Sequence, residues 1–455
     1  MTPNAPTHRS LSPAARLSLR VVLAAAAAAL LGVMAWAASA SAVQDAAILG
    51  AARAASRTAG KVMGLVAGAL LMLQFALSAR LKLLDRAFGL DRLLRCHKLV
   101  GISAGVLASL HPLLLYRSGV YFAGALEWGR WPEFLGAGLL AVLWVVLCTS
   151  LWAAFLALSY RAWWGVHQLV FAAVAMVAVH GLAIGGDLAG GWLRAMWLTM
   201  VTAYAGLFVW VKIIKPLLLR ANRFTVAAVE RLNHNVWTVE LTAPPGRALH
   251  HLPGQFAFLK LHGKSLPAEE HPFTISSAPS PEGLRIGFTI KASGDFTARI
   301  GEFRAGDWAT VDGPYGLFSH LTGAPTGPLV MIAGGIGITP ILSMLRHVAA
   351  TGDDRPVTLI WGNRREEDIV YRQELDSLAA GRMNLRIHHV LSEQESWPGS
   401  TGFVDAPLLG RVLAGGELAG QVFLCGPPVM MASVSRSLRS MNVPRRRIHT
   451  ERFAF

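Results

Sequence analysis

The chain has few cysteines and few charged residues, and both shortages exclude classes of protein. Of 455 residues, three are cysteine and 15% are charged. Cys96, Cys148 and Cys425 form no CxxC pair, which supports neither a disulfide framework nor a cysteine-ligated iron–sulfur or zinc site. Apolar residues make up 53%, too many for an ordinary soluble protein, and the length allows two or three domains. The composition favours a membrane part joined to a soluble part.

Acidic residues are the scarcer charge. The chain has 27 Asp and Glu against 42 Lys and Arg, a net charge of +15. The basic residues do not form a patch interleaved with aromatic residues, so we do not expect nucleic acid as a partner. Many of them flank apolar runs, which is typical of membrane topology signals, and we expect membrane lipid as the partner instead.

Six apolar runs in the first 220 residues are long enough to cross a bilayer, which takes about 20 residues of helix. They cover about 20–41, 60–79, 98–116, 134–158, 164–185 and 193–214. The first run has a second interpretation, because arginines, an alanine-rich core and ASASA are typical of a cleavable signal peptide. Cleavage would not reverse the topology of the other runs. We predict a six-helix all-α transmembrane bundle over residues 1–220.

Basic residues are unevenly divided between the two sides of these runs. One side carries Arg9, Arg16, Arg20, Arg80, Lys82, Arg86, Arg92, Arg95, Lys98, Lys212, Lys215 and Arg220. The other side carries Arg53, Arg57, Arg117 and Arg130, with none in GGDLAGG. Because cytoplasmic connections are enriched in Lys and Arg, we predict that both termini lie in the cytoplasm.

Four histidines occur in the third and fifth runs, in two matched pairs. His97 and His111 are 14 residues apart, and His167 and His180 are 13 apart. Each pair spans roughly 20 Å of helix axis, most of the roughly 30 Å hydrocarbon thickness. A single histidine in an apolar helix is more often a hydrogen-bonded core residue. Two matched pairs at membrane depth indicate a function.

Two such helices can hold two stacked planar metal cofactors. His97 would face His167 across one, and His111 would face His180 across the other. Neutral imidazole is a normal iron ligand, and haem is the usual iron cofactor with axial histidine. A step of 13 leaves the second histidine about 140° from the first on an ideal helix, against about 40° for a step of 14. The second helix must therefore twist locally, or the two haems must be offset around it.

After residue 220 the pattern changes to short alternating segments with Pro and Gly turns. FTVAAVERLNHNVWTVELTAP, LPGQFAFLKL and LRIGFTIKAS are typical of strands. We predict an antiparallel β-barrel over 221–322. Two of its segments stand out, His271-Pro272-Phe273-Thr274-Ile275-Ser276-Ser277 and the stretch from Lys291 through Gly294 to Thr297. The glycine turn, hydroxyl and helix start of the second can present N–H groups to a pyrophosphate. A strand followed by an N-capped helix without a ligand would give the same pattern.

The last 130 residues alternate buried strands with helical segments. VTLIWG, LRIHHVLS and QVFLCG are typical of buried strands, and GPLVMIAGGIGITPILSMLRHV of a strand, a glycine turn and an amphipathic helix. We predict a doubly wound α/β nucleotide-binding domain over 326–455, with its ligand at the carboxyl ends of the strands.

The glycine turn of this domain is suited to a phosphate. Gly334, Gly335 and Gly337 would let the backbone approach closely, and Thr339-Pro340 starts a helix whose N-terminus favours anions. Such a turn alone is a weak indication, because it also serves packing.

These motifs occur together in one order. HPFTISS, the Gly294 segment, Gly313-Pro314-Tyr315-Gly316, AGGIGITP, Cys425-Gly426-Pro427 and Glu451-Arg452-Phe453 follow one another along the chain. They resemble the ferredoxin–NADP reductase superfamily, in the HPFT form of the ferric reductase and NADPH oxidase family. The histidine spacing of 14 and 13 resembles that family's haem signature. The resemblance covers about residues 60–455, without a calcium-binding loop.

The resemblance implies roles for the barrel motif. HPFTISS would pack along FAD, with His271 and Ser277 towards its phosphate and ribitol and Thr274 near the reactive flavin nitrogen. The Gly294 segment is the second part of the flavin site in that family.

It also implies roles at the end of the chain. The nicotinamide would meet the flavin beside Cys425 and Gly426, and a C-terminal aromatic ring would cover the flavin. Phe453 holds that position, although Phe455 leaves open which ring stacks. A core anchor is the alternative for either ring. Thr274, Cys425 and Phe453 are then our candidates at the reacting atoms.

Arg364 and Arg365 follow the WGN strand end, where the family binds the adenosine ribose. Two guanidinium groups suit a 2′-phosphate, which favours NADPH over NADH. A solvated pair balancing Glu366, Glu367 and Asp368 is the alternative.

The resemblance implies an NAD(P)H-dependent oxidoreductase of the plasma membrane. Electrons would pass from cytoplasmic NAD(P)H through FAD and two b-type haems to an acceptor outside, either oxygen, giving superoxide, or ferric iron. One alternative is a flavocytochrome that donates to a partner protein or quinone. Another is a membrane-anchored flavoreductase without haem.

Overall fold

The computed structural model describes residues 11–40, 42–119, 128–153, 155–184, 186–263, 268–322, 327–381 and 384–452. It divides into a compact unit of Arg16–Lys215 and a second unit of Pro216–Phe455, to which Met1–Ala15 are also assigned. The first unit is helical, and the second contains two sheets.

The helical unit contains, within the described residues, six stretches that are long and apolar enough to cross a membrane. They are Pro13–Leu49, Ala51–Ser78, Leu90–Arg117, Trp131–Leu151, Tyr160–Ile184 and Gly191–Ala221. The individual helices are α1 Pro13–Ala38, α2 Ala42–Leu49, α3 Ala51–Ser78, α4 Lys82–Phe88, α5 Leu90–Arg117, α6 Trp131–Leu151, α7 Tyr160–His167, α8 Leu169–Ile184, α9 Gly191–Val209 and α10 Lys215–Ala221, with a π-helical turn at Trp210–Ile214. The predicted six-helix bundle is confirmed.

The ends of the helices differ from the ends of the apolar runs. The third run was predicted to begin at residue 98, but α5 begins at Leu90 and includes Arg92 and Arg95. Charged side chains end an apolar run without ending a helix, because long basic side chains reach the polar interface from a helix end. The fourth run was predicted to reach residue 158, but α6 ends at Leu151, since apolar composition does not report backbone conformation.

Glycines let the membrane helices approach each other closely. A Cβ on Gly68 of α3 would lie 2.7 Å from Cη2 of Trp197, and a Cβ on Gly105 of α5 would lie 2.2 Å from Cδ1 of Leu147. Small residues at helix contacts are typical of membrane bundles, where close van der Waals packing stabilises association. Close van der Waals contact between helices therefore stabilises the centre of the bundle.

The first sheet of the second unit is an antiparallel barrel. Its strands are β1 Phe224–Arg231, β2 Val236–Thr242, β3 Phe256–His262, β4 Glu270–Thr274, β5 Arg285–Lys291 and β6 Trp308–Tyr315. They pair in the order β4-β3-β6-β1-β2-β5. The two edges meet where Ile275 bridges Phe288 and the N–H of Ser276 donates to the carbonyl of Gly287 at 2.8 Å. This closure confirms the predicted barrel, and its interior is apolar.

The second sheet is parallel, with helices on both faces. Its strands are β7 Leu329–Gly334, β8 Val357–Asn363, β9 Leu385–Leu391, β10 Ser400–Thr401, β11 Gln421–Cys425 and β12 Ile448–Glu451, in the order β10-β9-β8-β7-β11-β12. The helices are α11 Ile338–Thr351, α12 Arg372–Ala380, α13 Ala406–Val412 and α14 Pro428–Ser440. Separate apolar clusters cover the two faces, so the predicted doubly wound domain is confirmed. The strand order reverses between β7 and β11, where such folds bind ligands.

Candidate cofactor sites

The four membrane histidines face each other in two pairs. The ring centroids of His97 and His167 are 6.1 Å apart, and those of His111 and His180 are 6.3 Å apart. The structure thus brings together the histidines that we predicted to face each other across each cofactor, His97 with His167 and His111 with His180.

Three of these rings are held at Nδ1 by backbone carbonyl groups. The Nδ1 atoms of His97, His111 and His180 lie within hydrogen-bond distance of a carbonyl oxygen on a neighbouring helix. The partners in that order are Gln74 at 2.9 Å, Gly60 at 2.8 Å and Pro132 at 2.8 Å. A carbonyl oxygen only accepts, so in the neutral ring Nδ1 carries the proton and Nε2 keeps its lone pair. These are the tautomers that a metal ligand requires.

His167 is held differently. Its Nδ1 lies 3.2 Å from Oγ of Ser150, which also accepts from Nε1 of Trp163 at 3.3 Å. The rings of Trp163 and Trp164 stack on the imidazole at centroid distances of 5.1 and 6.2 Å. Three side chains therefore fix this ring where the others rely on a carbonyl.

The helix that carries His167 and His180 is interrupted between them. α7 ends at His167 and α8 begins at Leu169, with a turn at Gln168. The Oε1 atom of Gln168 accepts from Nζ of Lys212 at 3.3 Å. The interruption lies within the segment whose 13-residue spacing departs from the 14 residues of the first pair.

Two glycines that we did not single out make room for the second pair. A Cβ on Gly64 of α3 would lie 2.6 Å from Nδ1 of His111, and a Cβ on Gly136 of α6 would lie 2.5 Å from Cε1 of His180. Both imidazoles thus occupy space that any other residue would fill. The signal for α3 was a glycine at every fourth residue.

The donor set fits axial ligation of two haems. Two imidazoles that share one metal need bonds of about 2 Å each and about 1 Å from each nitrogen to the ring centre, roughly 6 Å in all. The observed separations are 6.1 and 6.3 Å. Among the described residues, no group of three or more His, Cys, Asp or Glu could hold a metal ion. A pair of histidines suits haem, whose porphyrin supplies the remaining ligands.

The HPFT segment forms β4 and the turn that closes the barrel. His271 stacks on Phe296 with ring centroids 4.6 Å apart, and its Nε2 lies 3.2 Å from Oε2 of Glu269. Thr274 is buried at the end of the strand, and Phe273 packs against the barrel core. Pro272 lies between His271 and Phe273 on β4.

Both serines of this segment hydrogen-bond within the barrel. The Ser276 hydroxyl accepts from Thr289 at 2.9 Å and donates to the carbonyl of Gly287 at 3.2 Å. The Ser277 hydroxyl accepts from the N–H of Gly287 at 3.0 Å. These side chains therefore tie β4 to β5, a role that the motif alone did not indicate.

The Lys291–Thr297 segment, predicted as the second part of a flavin site, begins at the end of β5. The Thr297 hydroxyl accepts from the N–H groups of Ser293 and Gly294 at 2.8 and 2.9 Å and begins a 3-10 helix. Two of the N–H groups that we predicted for a pyrophosphate are thus satisfied within the turn, as in the alternative without a ligand.

The glycine turn after β7 packs against the turn after β11. A Cβ on Gly337 would lie 2.3 Å from the carbonyl oxygen of Cys425 and 2.9 Å from the N of Gly426. A Cβ on Gly334 would lie 2.4 Å from Sδ of Met430. Close approach of two protein segments thus requires both glycines, and the approach of a phosphate stays a prediction.

The third glycine is required by the backbone. Gly335 has φ +52° with nothing within 4 Å of an added Cβ, and its carbonyl accepts from Nε1 of Trp361 at 3.0 Å. The left-handed conformation favours glycine. α11 begins at Ile338, so Thr339 and Pro340 lie buried in its first turn.

Cys425 ends β11 and is fully buried. Burial, followed by the Glu451 carboxylate, raises the pKa of the thiol well above its ordinary value. Cys425 is therefore a neutral thiol at physiological pH and not a nucleophile. Phe453 and Phe455, our candidates for the ring over the flavin, lie outside the described residues.

A cleft lies between the barrel and the parallel sheet, beside the turn after β7. Its lining consists of Asn235, Val236, Lys291, Gly335, Ile336, Trp361, Asn363, Asp368 and Val370. Both amide atoms of Asn363 and Oδ1 of Asn235 are buried without a hydrogen-bond partner among the described residues. Buried polar atoms are normally paired, so these amide groups are suited to bind a polar group of a ligand. Sequence reasoning missed both asparagines.

Arg364 and Arg365 follow Asn363, the last residue of β8. Arg364 Nε lies 3.6 Å from Oε1 of Glu393, and Arg365 Nε lies 3.9 Å from Oε2 of the same residue. Both guanidinium groups are largely exposed, and such loose surface pairs contribute little free energy. They remain able to turn towards a phosphate.

Three family models match successive parts of the chain. The "Ferric reductase like transmembrane component" matches residues 63–178, the "FAD-binding domain" 221–319 and the "Oxidoreductase NAD-binding domain" 331–436. The order agrees with the helical unit, the barrel and the parallel sheet.

Curated relatives match up to about half of the chain. Ferredoxin–NADP reductase B of Sorangium cellulosum is 34% identical over 237 residues, 50% of this chain and 96% of that protein. The reductase component of propane 2-monooxygenase of Mycolicibacterium goodii is 32% identical over 51% of this chain and 67% of its own. NADH-cytochrome b5 reductase 1 of Candida glabrata is 34% identical, and the match spans 33% of this chain and 54% of that protein.

The contact at Gly337 generates a test of the nucleotide domain. Gly337→Ala should lower the midpoint of thermal unfolding and weaken NADPH binding about tenfold or more, because overpacking of about 1–3 kcal/mol must displace the turn. The control is Gly410→Ala on α13, where nothing lies within 4 Å of the added Cβ and alanine favours the helix by about 1 kcal/mol. Equal unfolding midpoints and NADPH affinities in both variants would contradict the packing role.

Proposed function

Because the chain belongs to the ferric reductase family, with a ferric reductase-like transmembrane domain joined to a ferredoxin–NADP reductase-type FAD and NAD module, we propose that it passes electrons from NAD(P)H through FAD and two b-type haems to an acceptor across the membrane. The protein is a multi-pass membrane oxidoreductase that uses NAD(P)H. The haems, the orientation and the acceptor are the proposal.

The observation that carries the proposal is the pairing of anchored imidazoles. His97 and His167 would hold one haem, and His111 and His180 the other. Nδ1 of each ring is engaged by a carbonyl or hydroxyl oxygen, which directs Nε2 towards the metal. A bound flavin would accept a hydride from NAD(P)H, and haem iron carries single electrons.

The soluble unit would bind and orient the nucleotides. NAD(P)H would occupy the cleft at the carboxyl ends of β7, β8 and β11, with its phosphates at the turn of Gly334, Gly335 and Gly337. Neutral Cys425 and Gly426 would border the nicotinamide, a site that needs no thiolate.

The flavin would lie along β4 and the Lys291–Thr297 segment. His271 to Ser277 would contact it, with Thr274 near its reactive nitrogen and Phe453 over its ring. Two turn N–H groups are already used by Thr297, so other backbone groups and Lys291 would meet the phosphates. These assignments rest on the family resemblance.

The distribution of basic residues supports an orientation with FAD and NAD(P)H in the cytoplasm of a plasma-membrane protein. His111 and His180 then form the outer pair, nearest the acceptor. Oxygen and a ferric chelate are the acceptors we propose. Neither needs an acid or base from the protein if a single electron is transferred.

The acceptor is identified by two assays on the purified protein in detergent with NADPH. Oxygen reduction gives dismutase-sensitive reduction of cytochrome c, and iron reduction gives Fe(II) detected by ferrozine without oxygen. If neither signal appears but an added quinone or partner protein is reduced, the flavocytochrome alternative holds. Flavin absorbance without a b-haem Soret band would leave the anchored flavoreductase.

The histidine pairing predicts the effect of single substitutions on haem content. His111→Ala should reduce two haems per FAD to one, because an unpaired imidazole loses the shared iron, while NADPH still reduces the flavin. Gly64→Ala should also lower haem content, since its Cβ would meet the His111 ring at 2.6 Å. Haem and FAD per chain are measured by reduced-minus-oxidised spectra.

The matched control is Gly206→Ala on α9, where nothing lies within 4 Å of the added Cβ. It should keep the parental haem content. Two haems per chain in His111→Ala would refute the pairing.

The adenosine end of the cleft predicts a coenzyme preference. Arg364→Ala should raise the KM for NADPH about tenfold, the loss expected for one charge-assisted hydrogen bond, and leave the KM for NADH nearly unchanged. Arg411→Ala, at an exposed position on α13, should change neither. Equal losses for both coenzymes would reject the 2′-phosphate role. The measurement is steady-state reduction of an artificial acceptor.

A further inference from the structure

Tyr371 stands at the start of α12 in an unfavourable backbone conformation. Its φ is +57°, in the left-handed region. A bulky side chain there is strained, and such a conformation persists only where the surroundings hold it. The contacts of Tyr371 therefore indicate what the strain maintains.

The hydroxyl of Tyr371 reaches from the nucleotide domain into the flavin barrel. It lies 2.5 Å from Oγ1 of Thr238 on β2 and 2.9 Å from Oγ1 of Thr289 on β5. Thr238 and Thr289 are direct cross-strand partners. One phenol thus joins α12 to two strands of the barrel.

These hydroxyls form a directed chain that ends on the flavin segment. Thr289 donates its only hydroxyl proton to Ser276 at 2.9 Å, and Ser276 donates to the carbonyl of Gly287. Thr289 must therefore accept from Tyr371, which accepts from Thr238. The hydroxyls of Tyr371, Thr289 and Ser276 each donate once and accept once, so removing one of them leaves its neighbours unpaired.

Arg346 of α11 joins the same segment from the other side. Its Nη1 donates to the carbonyl of Ser276 at 2.8 Å, while Nε and Nη2 bind Glu374 of α12 at 2.6 and 2.7 Å. Its guanidinium carbon lies 4.9 Å from the centre of the Tyr371 ring. One turn earlier, the Ser343 hydroxyl donates to the carbonyl of Ser277 at 2.7 Å.

We propose that Tyr371 is a positioning residue that fixes the register between the nucleotide domain and the flavin segment, and so sets the rate of hydride transfer without contacting either cofactor. α11 begins beside the glycine turn of the proposed nucleotide site, and its Ser343 and Arg346 bind the carbonyls of Ser277 and Ser276 in the barrel. One helix thus connects the two sites. The proposal rests on the flavin site of the proposed function. It is independent of the haems and the acceptor.

The test uses the full-length protein with bound FAD, mixed anaerobically with NADPH while flavin absorbance is followed. Tyr371→Phe and Thr289→Val should each slow the limiting rate of flavin reduction about tenfold or more, because a small misplacement of reacting groups is costly. The dissociation constant for NADPH should stay within about twofold, since the phosphate and ribose contacts are untouched. The double variant should be no slower than the slower single variant, because both break one chain.

Thr242→Val supplies the matched control. Thr242 lies on β2 four residues from Thr238, is also half-buried, and is the cross-strand partner of Arg285 on β5. Its variant should keep the parental rate. NADPH deuterated at the transferred position should slow the step in all proteins, which identifies the step as hydride transfer.

Several results would overturn the proposal. One is an unchanged limiting rate in both Tyr371→Phe and Thr289→Val, and another is weaker NADPH binding at an unchanged rate. A lower FAD content or unfolding temperature with the parental rate per bound FAD would assign these hydroxyls to stability alone. If NADPH fails to reduce the flavin of the unsubstituted protein, the proposed function itself is refuted, which separates the two failures.

Discussion

The membrane unit depends on holding polar imidazole rings still among apolar helices. Hydrocarbon offers no water to satisfy a ring nitrogen, so each ring needs a partner from the protein. Gln74, Gly60 and Pro132 supply it with backbone carbonyls, groups that cannot change rotamer or charge. Gly64 and Gly136 then leave the space in which the rings lie. The carbonyl partner and the space left by the glycine together fix the position of each of these rings.

The soluble unit uses close backbone approach for another purpose. The turn at Gly334 and Gly337 lies directly against the Cys425–Gly426 turn, so the carboxyl ends of β7 and β11 form one surface at the reversal of strand order. A nucleotide that binds at this point contacts both turns at once. The glycines therefore shape this surface through protein packing. The buried amide of Asn363, which has no hydrogen-bond partner among the described residues, lies beside it.

Local patterns predicted the architecture well and the supporting contacts poorly. Apolar run lengths predicted six spans, alternation predicted the barrel, and strand–helix alternation predicted the parallel sheet, because each depends on residues close together in sequence. The spacing of 14 and 13 residues is also a local pattern, and from it we predicted which histidines of the two runs face each other. The carbonyl partner of His111 is 51 residues away and that of His180 is 48 away, and no pattern in the chain marks either. Tyr371 could not be identified from the sequence either, since its proposed role depends on a backbone angle and on two threonines that are distant in the chain.

The contacts between the barrel and the parallel sheet differ from those of the membrane histidines in whether water can replace them. Between the barrel and the parallel sheet, the hydroxyl bonds of Tyr371 and Ser343 and the bond from Arg346 to the Ser276 carbonyl lie beside an apolar contact at Val236. Bonds to water can replace the polar bonds among these contacts, so they do not by themselves prevent the relative motion that interfaces between domains commonly allow. The histidine pairs lack that option, because a separated imidazole would be unpaired in hydrocarbon. The contacts beside the proposed nucleotide site are therefore ones that water can replace in part, whereas those of the histidines are not.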